Sequence, residues 1–193
     1  MAPERGVQPN WIESAPEEGS FRSIFKWGDP HGYKHPNAKL VQLLKQTFGL
    51  TDGHFKVPEN DGNRPVAYHL PPRVINAEHV LAITRIVGKA NVSTDNFDRL
   101  KFATGKTLEE SLRLRQGEVQ VVSDLVVHPR HKADVRQLVS YCDREKIPVY
   151  VFGGGSSVNF GLRPSKGGIT LVMSTHMNRV VHLNETNQTV TVQ

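Results

Sequence analysis

The fold is decided by the stretch Ile147-Pro-Val-Tyr-Val-Phe152, which runs directly into Gly153-Gly-Gly-Ser-Ser157. Its apolar, β-branched and aromatic residues predict a buried strand that begins at a proline, where no backbone donor is missed. Three consecutive glycines then allow positive φ and a close approach of the main chain to a ligand. The amides of such a loop can converge on an anion, with the hydroxyls of Ser156 and Ser157 as further donors.

The residues after the glycines distinguish this loop from two common phosphate-binding loops. The pattern Gly-x-Gly-x-x-Gly needs a helix that starts at the loop, whereas Gly161 and Pro164 stand where that helix would grow. The P-loop needs Gly-Lys-Ser/Thr at its end, which this stretch lacks. A flexible Gly/Ser turn is the alternative, although flanking strands favour a rigid loop. Residue spacing alone leaves phosphate binding and a plain turn open.

The sequence around the loop predicts an α/β (α+β) fold. A short buried strand is predicted at Asp124-Leu-Val-Val-His128, and a helix over Lys132–Lys146 comes after it. Strand, helix and strand with tight joints make a βαβ unit whose strands run parallel. The helix is expected to turn four residues inward, namely Val135, Leu138, Val139 and Cys142. Further strands are predicted at Ile169–Met173, Arg179–Leu183 and Thr189–Gln193.

The chain divides into three parts by composition. Residues 1–25 are polar and predict a mobile tail, residues 26–118 predict a helical region, and residues 119–193 hold the α/β domain. In the helical region, apolar spacing from Leu40 to Phe48 predicts a helix that Gly49 ends, and Asn76 caps a second helix that Gly88 ends. Thr94 is expected to cap a short helical turn that carries Asp95, Asp98 and Arg99.

Composition and charge narrow the class of protein. Hydrophobic residues make up 37% and charged residues 22%, which is typical of a globular chain, and no stretch approaches the ~20 apolar residues of a membrane helix. The single cysteine excludes an internal disulfide, and an intracellular location is expected, cytoplasmic in a bacterium or peroxisomal in a eukaryote. The net charge of +5 suits a phosphate-bearing ligand. The densest basic patch is Arg130, His131, Lys132 and Arg136.

That patch has no aromatic platform and no nucleic-acid-binding pattern, so we interpret it as a solvated helix face with no nucleic acid partner. His128 and His131 are the closest approach to a metal pair, and we interpret them as surface residues, with no metal site. Cys142 is expected in the core. Asp95, Asp98 and Arg99 are interpreted as a helix cap and a surface ion pair; a catalytic carboxylate group is the alternative.

A resemblance to a known family adds to these inferences. The stretch Pro148–Gly161 resembles the pyrophosphate loop of the vanillyl-alcohol-oxidase (PCMH-type) FAD-binding family. Asp124–Val135 resembles the segment before that loop in the family, and Met177–Val180 resembles a segment after it. Upstream, the likeness to the alkyldihydroxyacetonephosphate synthase branch extends over Phe25–Pro30, Leu70–Pro72, Asp98–Leu100, Thr104–Lys106 and Leu112–Gly117. Three positions depart from the family pattern, namely Ser123, Ser156 and Met173.

The resemblance implies a first, incomplete lobe of a PCMH-type FAD-binding domain, with FAD held non-covalently. It implies exchange of an acyl for an alkyl group on acyl-dihydroxyacetone phosphate, in ether lipid biosynthesis; a FAD-linked oxidase or dehydrogenase of a 2-hydroxy acid is the alternative. It also implies a small-molecule or lipid substrate, and a peripheral membrane contact and a homodimer are compatible with it. No catalytic residue is expected in this chain. The cofactor-binding residues implied are Val151, Phe152, Gly153, Gly154, Gly155, Ser156, Ser157, Val158, Asn159 and Gly161.

Overall fold

The structure, a computed structural model, describes residues 38–55 and 69–193. The predicted tail over residues 1–25 lies outside these ranges. Five α-helices are described: Ala38–Phe48 (α1), Ala77–Val87 (α2), Asn96–Lys101 (α3), Leu108–Arg115 (α4) and Lys132–Arg144 (α5). None of the helices in the described ranges has the length and apolar character that a membrane crossing demands.

A four-stranded mixed sheet organises the chain after α2. Its strands are Val92–Ser93 (β1), Leu125–Val127 (β2), Val149–Phe152 (β3) and Ile169–Val172 (β4), in the order β1-β2-β4-β3. The strand β4 pairs in parallel with both β2 and β3, whereas β1 is antiparallel to β2. The predicted parallel direction of β2 and β3 is therefore confirmed, although β4 lies between them.

The remaining two strands form a separate hairpin. Val180–Asn184 (β5) and Thr189–Val192 (β6) pair antiparallel, with a register irregularity between Val180 and His182. Both strands were predicted, at Arg179–Leu183 and Thr189–Gln193, and their positions are confirmed to within one residue. Along β6 every side chain is exposed.

Apolar side chains cover both faces of the sheet. On one face, Leu125 and Val127 of β2 join a buried cluster with residues of α2, α5 and β4. On the other face, Val126 packs with Phe102 and Val172. Successive residues of a strand point to opposite faces, so a strand buried on both sides needs an unbroken apolar run. This explains why β2 and β4 are apolar or small throughout.

Helix ends follow the sequence signals with one exception. The Asn76 side chain caps α2 by accepting from the Glu78 amide at 3.1 Å, and Gly88 ends that helix at φ 86°. The prediction that Thr94 caps the next helix is wrong, because Asp95 is the cap. Its carboxylate accepts from the amides of Phe97 at 2.8 Å and Asp98 at 3.3 Å.

The inward face of α5 is narrower than predicted. Leu138 and Cys142 are fully buried, but Val139 is 47% exposed, so its predicted inward position is wrong. The buried line runs through Asp134, Leu138 and Cys142, which are four residues apart and therefore lie on one face. Val139 lies about 100° further round the helix than Leu138.

A buried carboxylate fixes the entry to β4. Asp124 is 2% exposed, and its two oxygens accept from the amides of Val74 at 2.9 Å and Gly168 at 2.8 Å. The Asp124 amide donates in turn to the Gly168 carbonyl at 2.8 Å. Gly168 has φ 74°, and a Cβ there would collide with the carbonyl of Pro148. Asp124 thus joins the segment before α2 to the start of β4.

We expect Asp124→Ala to lower the free energy of unfolding by about 3 kcal/mol, because a buried amide and a partly buried amide lose a charged acceptor. Urea unfolding followed by circular dichroism measures the change. Asp143→Ala is the matched control, since Asp143 is exposed and only faces Lys146; its cost should stay below about 1 kcal/mol. Equal losses in the two variants would contradict the role assigned to Asp124.

Candidate diphosphate-binding site

The glycine loop, residues 153–157, lies at the carboxyl edge of the parallel strands. It comes directly after β3, and the residues after β2 and β4 at the same edge include His128 and a 3₁₀ turn over Met173–Thr175. Ligands of open α/β sheets bind outside this edge, where loops from neighbouring strands meet. The position of the loop therefore suits a ligand site.

The three glycines of the loop have different surroundings. Apart from its chain neighbours, no heavy atom of the described residues lies within 4 Å of an ideal Cβ at Gly153 or Gly154. Gly155 has φ 69°, and a Cβ there would lie 2.5 Å from the Phe152 ring. All three glycines allow positive φ, but only Gly155 adopts it, so the interpretation of Gly154 as a positive-φ position is wrong. The turn needs one left-handed residue, which is Gly155.

Main-chain donors are available at the end of the loop. Among the described residues, no backbone carbonyl accepts a hydrogen bond from the amides of Gly155, Ser156 or Ser157. Residues 148–164 contain no carboxylate side chain that would repel an anion. A diphosphate needs fixed neutral donors around it. The amides of Gly155, Ser156 and Ser157, which have no backbone acceptor among the described residues, meet that need.

The two serines of the loop differ in what they offer. Ser156 is exposed. The Ser157 hydroxyl is already engaged, because it donates to Asn159 Oδ1 at 3.1 Å and accepts from the Gly161 amide at 3.2 Å. Ser157 and Asn159 thereby shape the turn after the loop, in which Phe160 has φ 57°. Ser157 has its amide left for a ligand, and its hydroxyl organises the turn.

The loop rests on an aromatic stack. The Phe152 ring meets the Phe102 ring edge to face, with centroids 4.9 Å apart and planes at 86°. Phe102 in turn meets the His128 ring edge to face, with centroids 5.8 Å apart. Because the Phe152 ring packs against Gly155, the aromatic stack supports the loop from the side of the core. The two remaining predicted site residues, Val151 and Val158, both have exposed side chains.

His128 is not the surface residue that was predicted. Its Nδ1 lies 2.7 Å from Thr175 Oγ1, and burial lowers the pKa of the imidazole, an effect that Asp98 opposes. His131 instead caps α5, accepting from the Asp134 amide at 3.3 Å. Across residues 38–55 and 69–193, no group of three His, Cys, Asp or Glu side chains could hold a metal ion.

Arg99 also departs from its prediction. It is 3% exposed instead of forming a surface ion pair, and its guanidinium donates to the carbonyls of Ser123 at 2.9 Å and Pro71 at 2.8 Å. The Ser123 hydroxyl accepts from Thr170 Oγ1 at 2.9 Å. Arg99 therefore ties α3 to the strand region as a structural residue, and Asp95 caps α3. These contacts give the group no catalytic geometry.

Cys142 is a core residue, as predicted. It is 1% exposed, and burial raises the pKa of its thiol to about 11. A thiol with that pKa stays protonated at neutral pH, and the thiolate is the nucleophilic form. Cys142 therefore packs between α5 and the sheet without a chemical role.

The Lys101 side chain is buried beside two aromatic rings. Its Nζ lies 5.3 Å from the centroid of the Phe102 ring and 5.7 Å from that of Phe97. Burial lowers the pKa of the ammonium from 10.5 to about 7, and Asp98 acts in the opposite direction. The amino group therefore changes its charge close to neutral pH, directly beside the aromatic stack that supports the glycine loop.

Taken together, the fold and the loop define an α/β domain with a glycine loop at the carboxyl edge of its parallel strands. The profile of a family described as an FAD binding domain matches residues 123–193. Residues 123–193 are thus an FAD-binding domain, and FAD is the cofactor.

Similar proteins are flavoenzymes of more than one kind. An alkyldihydroxyacetonephosphate synthase from Trypanosoma brucei brucei is 23% identical over 160 residues, 80% of this chain and 26% of that protein. The glycolate oxidase subunit GlcD of Bacillus subtilis is 26% identical over 111 residues, 58% of this chain and 22% of that protein. The chain thus spans about a quarter of the length of these relatives.

A solved structure of an alkyldihydroxyacetonephosphate synthase shares the fold. It superimposes with a TM-score of 0.60 at 24% identity, over 66% of this chain and 25% of that chain. The superimposed part is larger than residues 123–193, so the shared fold includes part of the region before the matched domain.

We expect the stability of the wild type, relative to Lys101→Met, to rise with pH between about 7 and 9. The pKa of Lys101 is lower in the folded than in the unfolded chain, so the unfolded chain binds more protons in this range. A rise in pH therefore destabilises the unfolded chain relative to the folded one. The slope is at most about 1.4 kcal/mol per pH unit. Urea unfolding at several pH values measures it. Lys132→Met, which removes an exposed lysine, is the control; a pH-independent difference for Lys101→Met would contradict the expectation.

Proposed function

We propose that this chain supplies the pyrophosphate-binding part of the FAD site in a flavoenzyme of the alkyldihydroxyacetonephosphate synthase type. The proposed reaction exchanges the acyl group of acyl-dihydroxyacetone phosphate for an alkyl group from a fatty alcohol. The observation that carries the cofactor site is the position of the glycine loop at the carboxyl edge of the sheet, where the described residues leave the side-chain position of Gly153 unfilled. The family match over residues 123–193 supports FAD as the diphosphate ligand.

The proposed roles follow from the surroundings of each residue. The amides of the glycine loop and of Val158 bind the pyrophosphate, and the exposed Ser156 hydroxyl adds a donor. Phe152 supports Gly155 from below. FAD, when bound, supplies the reactive ring system, and the protein supplies binding and orientation. The full set of proposed cofactor-binding residues is Val151, Phe152, Gly153, Gly154, Gly155, Ser156, Ser157, Val158, Asn159 and Gly161.

The extent of similarity favours the synthase over the alternative. The trypanosomal synthase resembles 80% of the chain, whereas the Bacillus subtilis glycolate oxidase subunit resembles 58%. The match to the synthase is longer than residues 123–193, so it includes part of the region before the FAD domain. A FAD-linked oxidase or dehydrogenase of a 2-hydroxy acid is the second candidate, since its representative is slightly more identical over the shorter stretch.

Product analysis with the protein that contains this chain tests the synthase proposal. The protein is incubated with acyl-dihydroxyacetone phosphate and a long-chain alcohol, without an electron acceptor. Release of fatty acid together with formation of the alkyl ether supports the proposal. Turnover of a 2-hydroxy acid that depends on an added electron acceptor, without ether formation, would replace it by the oxidase.

Non-covalent attachment of FAD is part of the proposal. The glycine loop contains no histidine, and the ring of His128, the histidine after β2 at the same edge, is engaged with Thr175. For the whole protein, the proposal includes a lipid or small-molecule substrate. It also includes a peripheral membrane contact, through which a lipid substrate is reached, and a homodimer.

We expect Gly154→Val to abolish FAD retention by the protein while this domain stays folded. Apart from its chain neighbours, no atom of the described residues lies within 4 Å of a Cβ added at Gly154, so the valine occupies the space that the proposed ligand needs. Absorbance of bound flavin after gel filtration measures retention, and circular dichroism reports the fold. Undiminished flavin absorbance in the variant would contradict the assignment of the glycine loop to the cofactor site.

A further inference from the structure

A segment that precedes the FAD domain holds the far end of the glycine loop. The Lys106 amide donates to the Ser157 carbonyl at 2.6 Å. Next to it, Gly105 approaches so closely that an ideal Cβ would lie 2.6 Å from the same oxygen and 3.2 Å from Ser157 Cβ. Only a residue without a side chain permits this approach. The contact therefore depends on the position of the segment around Gly105 and Lys106.

The carboxylate of Glu110 sets that position. One oxygen accepts from the Gly105 amide at 3.0 Å and the other from the Thr107 amide at 3.1 Å, so the two bonds flank Lys106. The Thr107 hydroxyl accepts from the Glu110 amide at 3.0 Å, which completes a capping box at the start of α4. A capping box needs only the bonds between residues 107 and 110. The bond to Gly105 is additional, and it directs the carboxylate toward the glycine loop.

The bond to the Ser157 carbonyl has a consequence for the next amide. In a trans peptide unit the carbonyl and the following N–H point in opposite directions in one plane. Holding the Ser157 carbonyl against Lys106 therefore aims the Val158 N–H away from Gly105 and Lys106. An amide whose direction is fixed before the ligand arrives binds with less loss of conformational freedom.

We propose that Glu110 is a positioning residue of the cofactor site. Through Gly105 and Lys106 it fixes the Ser157 peptide and so orients the last donors of the glycine loop toward the diphosphate. This inference rests on the proposed role of the loop in FAD binding. We call Gly105, Lys106 and Glu110 the brace.

The test uses the ¹⁵N-labelled protein that contains this chain, with amide shifts of residues 153–158 followed during titration with FAD and, separately, with ADP. Glu110→Ala and Gly105→Ala should raise the dissociation constant for FAD about tenfold or more, because both variants release the brace from the Ser157 carbonyl. Glu110→Gln keeps one acceptor oxygen, so its effect should lie between those of wild type and Glu110→Ala. Hydrogen exchange at the Lys106 amide should accelerate in Glu110→Ala.

Matched controls separate positioning from loss of helix stability. Thr107→Ala removes the other half of the capping box but leaves the Glu110 carboxylate with its two amides, so it should lower the melting temperature and keep the dissociation constant within about twofold of wild type. Glu109→Gln changes a neighbouring charge that pairs with Arg113 at the surface. Gly53→Ala controls for glycine replacement, because its Cβ would have an ordinary contact at 3.5 Å.

Two results would overturn the inference. One is an unchanged dissociation constant in Glu110→Ala and Gly105→Ala; the other is a rise in Thr107→Ala that matches theirs at equal loss of stability. Failure of the proposed function gives a different pattern, in which the wild-type loop amides do not shift with FAD or ADP at all. In that case hydrogen exchange at the Lys106 amide still shows whether Glu110 holds the segment around Gly105 and Lys106. The role of Glu110 in cofactor binding is then rejected together with that of the glycine loop.

Discussion

The parallel pairing of β4 with both β2 and β3 is the constraint on which the rest of the structure depends. Because β4 lies between the two strands of the βαβ unit, all three end at one edge, and the glycine loop comes after β3 there. The entry to β4 is held by Asp124, whose carboxylate binds the Gly168 amide in the interior. A buried charge with two amide partners is costly to disturb, so the edge that carries the site has a fixed position.

The glycine loop combines openness toward the ligand with contacts on its inner side. No described residue fills the side-chain positions of Gly153 and Gly154, whereas Gly155 lies on the Phe152 ring and the Ser157 carbonyl accepts from the Lys106 amide. Two of these supports depend on residues before position 118, since Phe102 lies under Phe152 and Lys106 binds the Ser157 carbonyl. The helical region is thus in physical contact with the loop that we propose binds FAD, which makes the loop sensitive to changes outside the matched domain.

Local patterns predicted the regular elements well, and they failed where long-range contacts decide the environment of a side chain. The apolar runs of β2 and β4 and the cap at Asn76 are local, and all three were predicted. Arg99 has the appearance of a surface residue next to Asp98, but the carbonyls that bury it come from residues 71 and 123. Helix α4 was not predicted as an element because its sequence, Leu108–Arg115, lacks an apolar stripe, although Thr107 and Glu110 carry the capping-box signal.

The sequence by itself determined the strand, the three glycines and the resemblance that points to FAD, because each depends on neighbouring residues in the chain. Only the tertiary structure decided which glycine has positive φ, which serine hydroxyl is engaged, and which segment holds Ser157. Gly105 and Ser157 are 52 positions apart in the chain, and no periodicity connects them. Their contact exists because packing brings the start of α4 to the carboxyl edge of the sheet. The hydrogen bond from the Lys106 amide to the Ser157 carbonyl joins backbone atoms, which every residue type has, so only the neighbouring Gly105 is required by the contact.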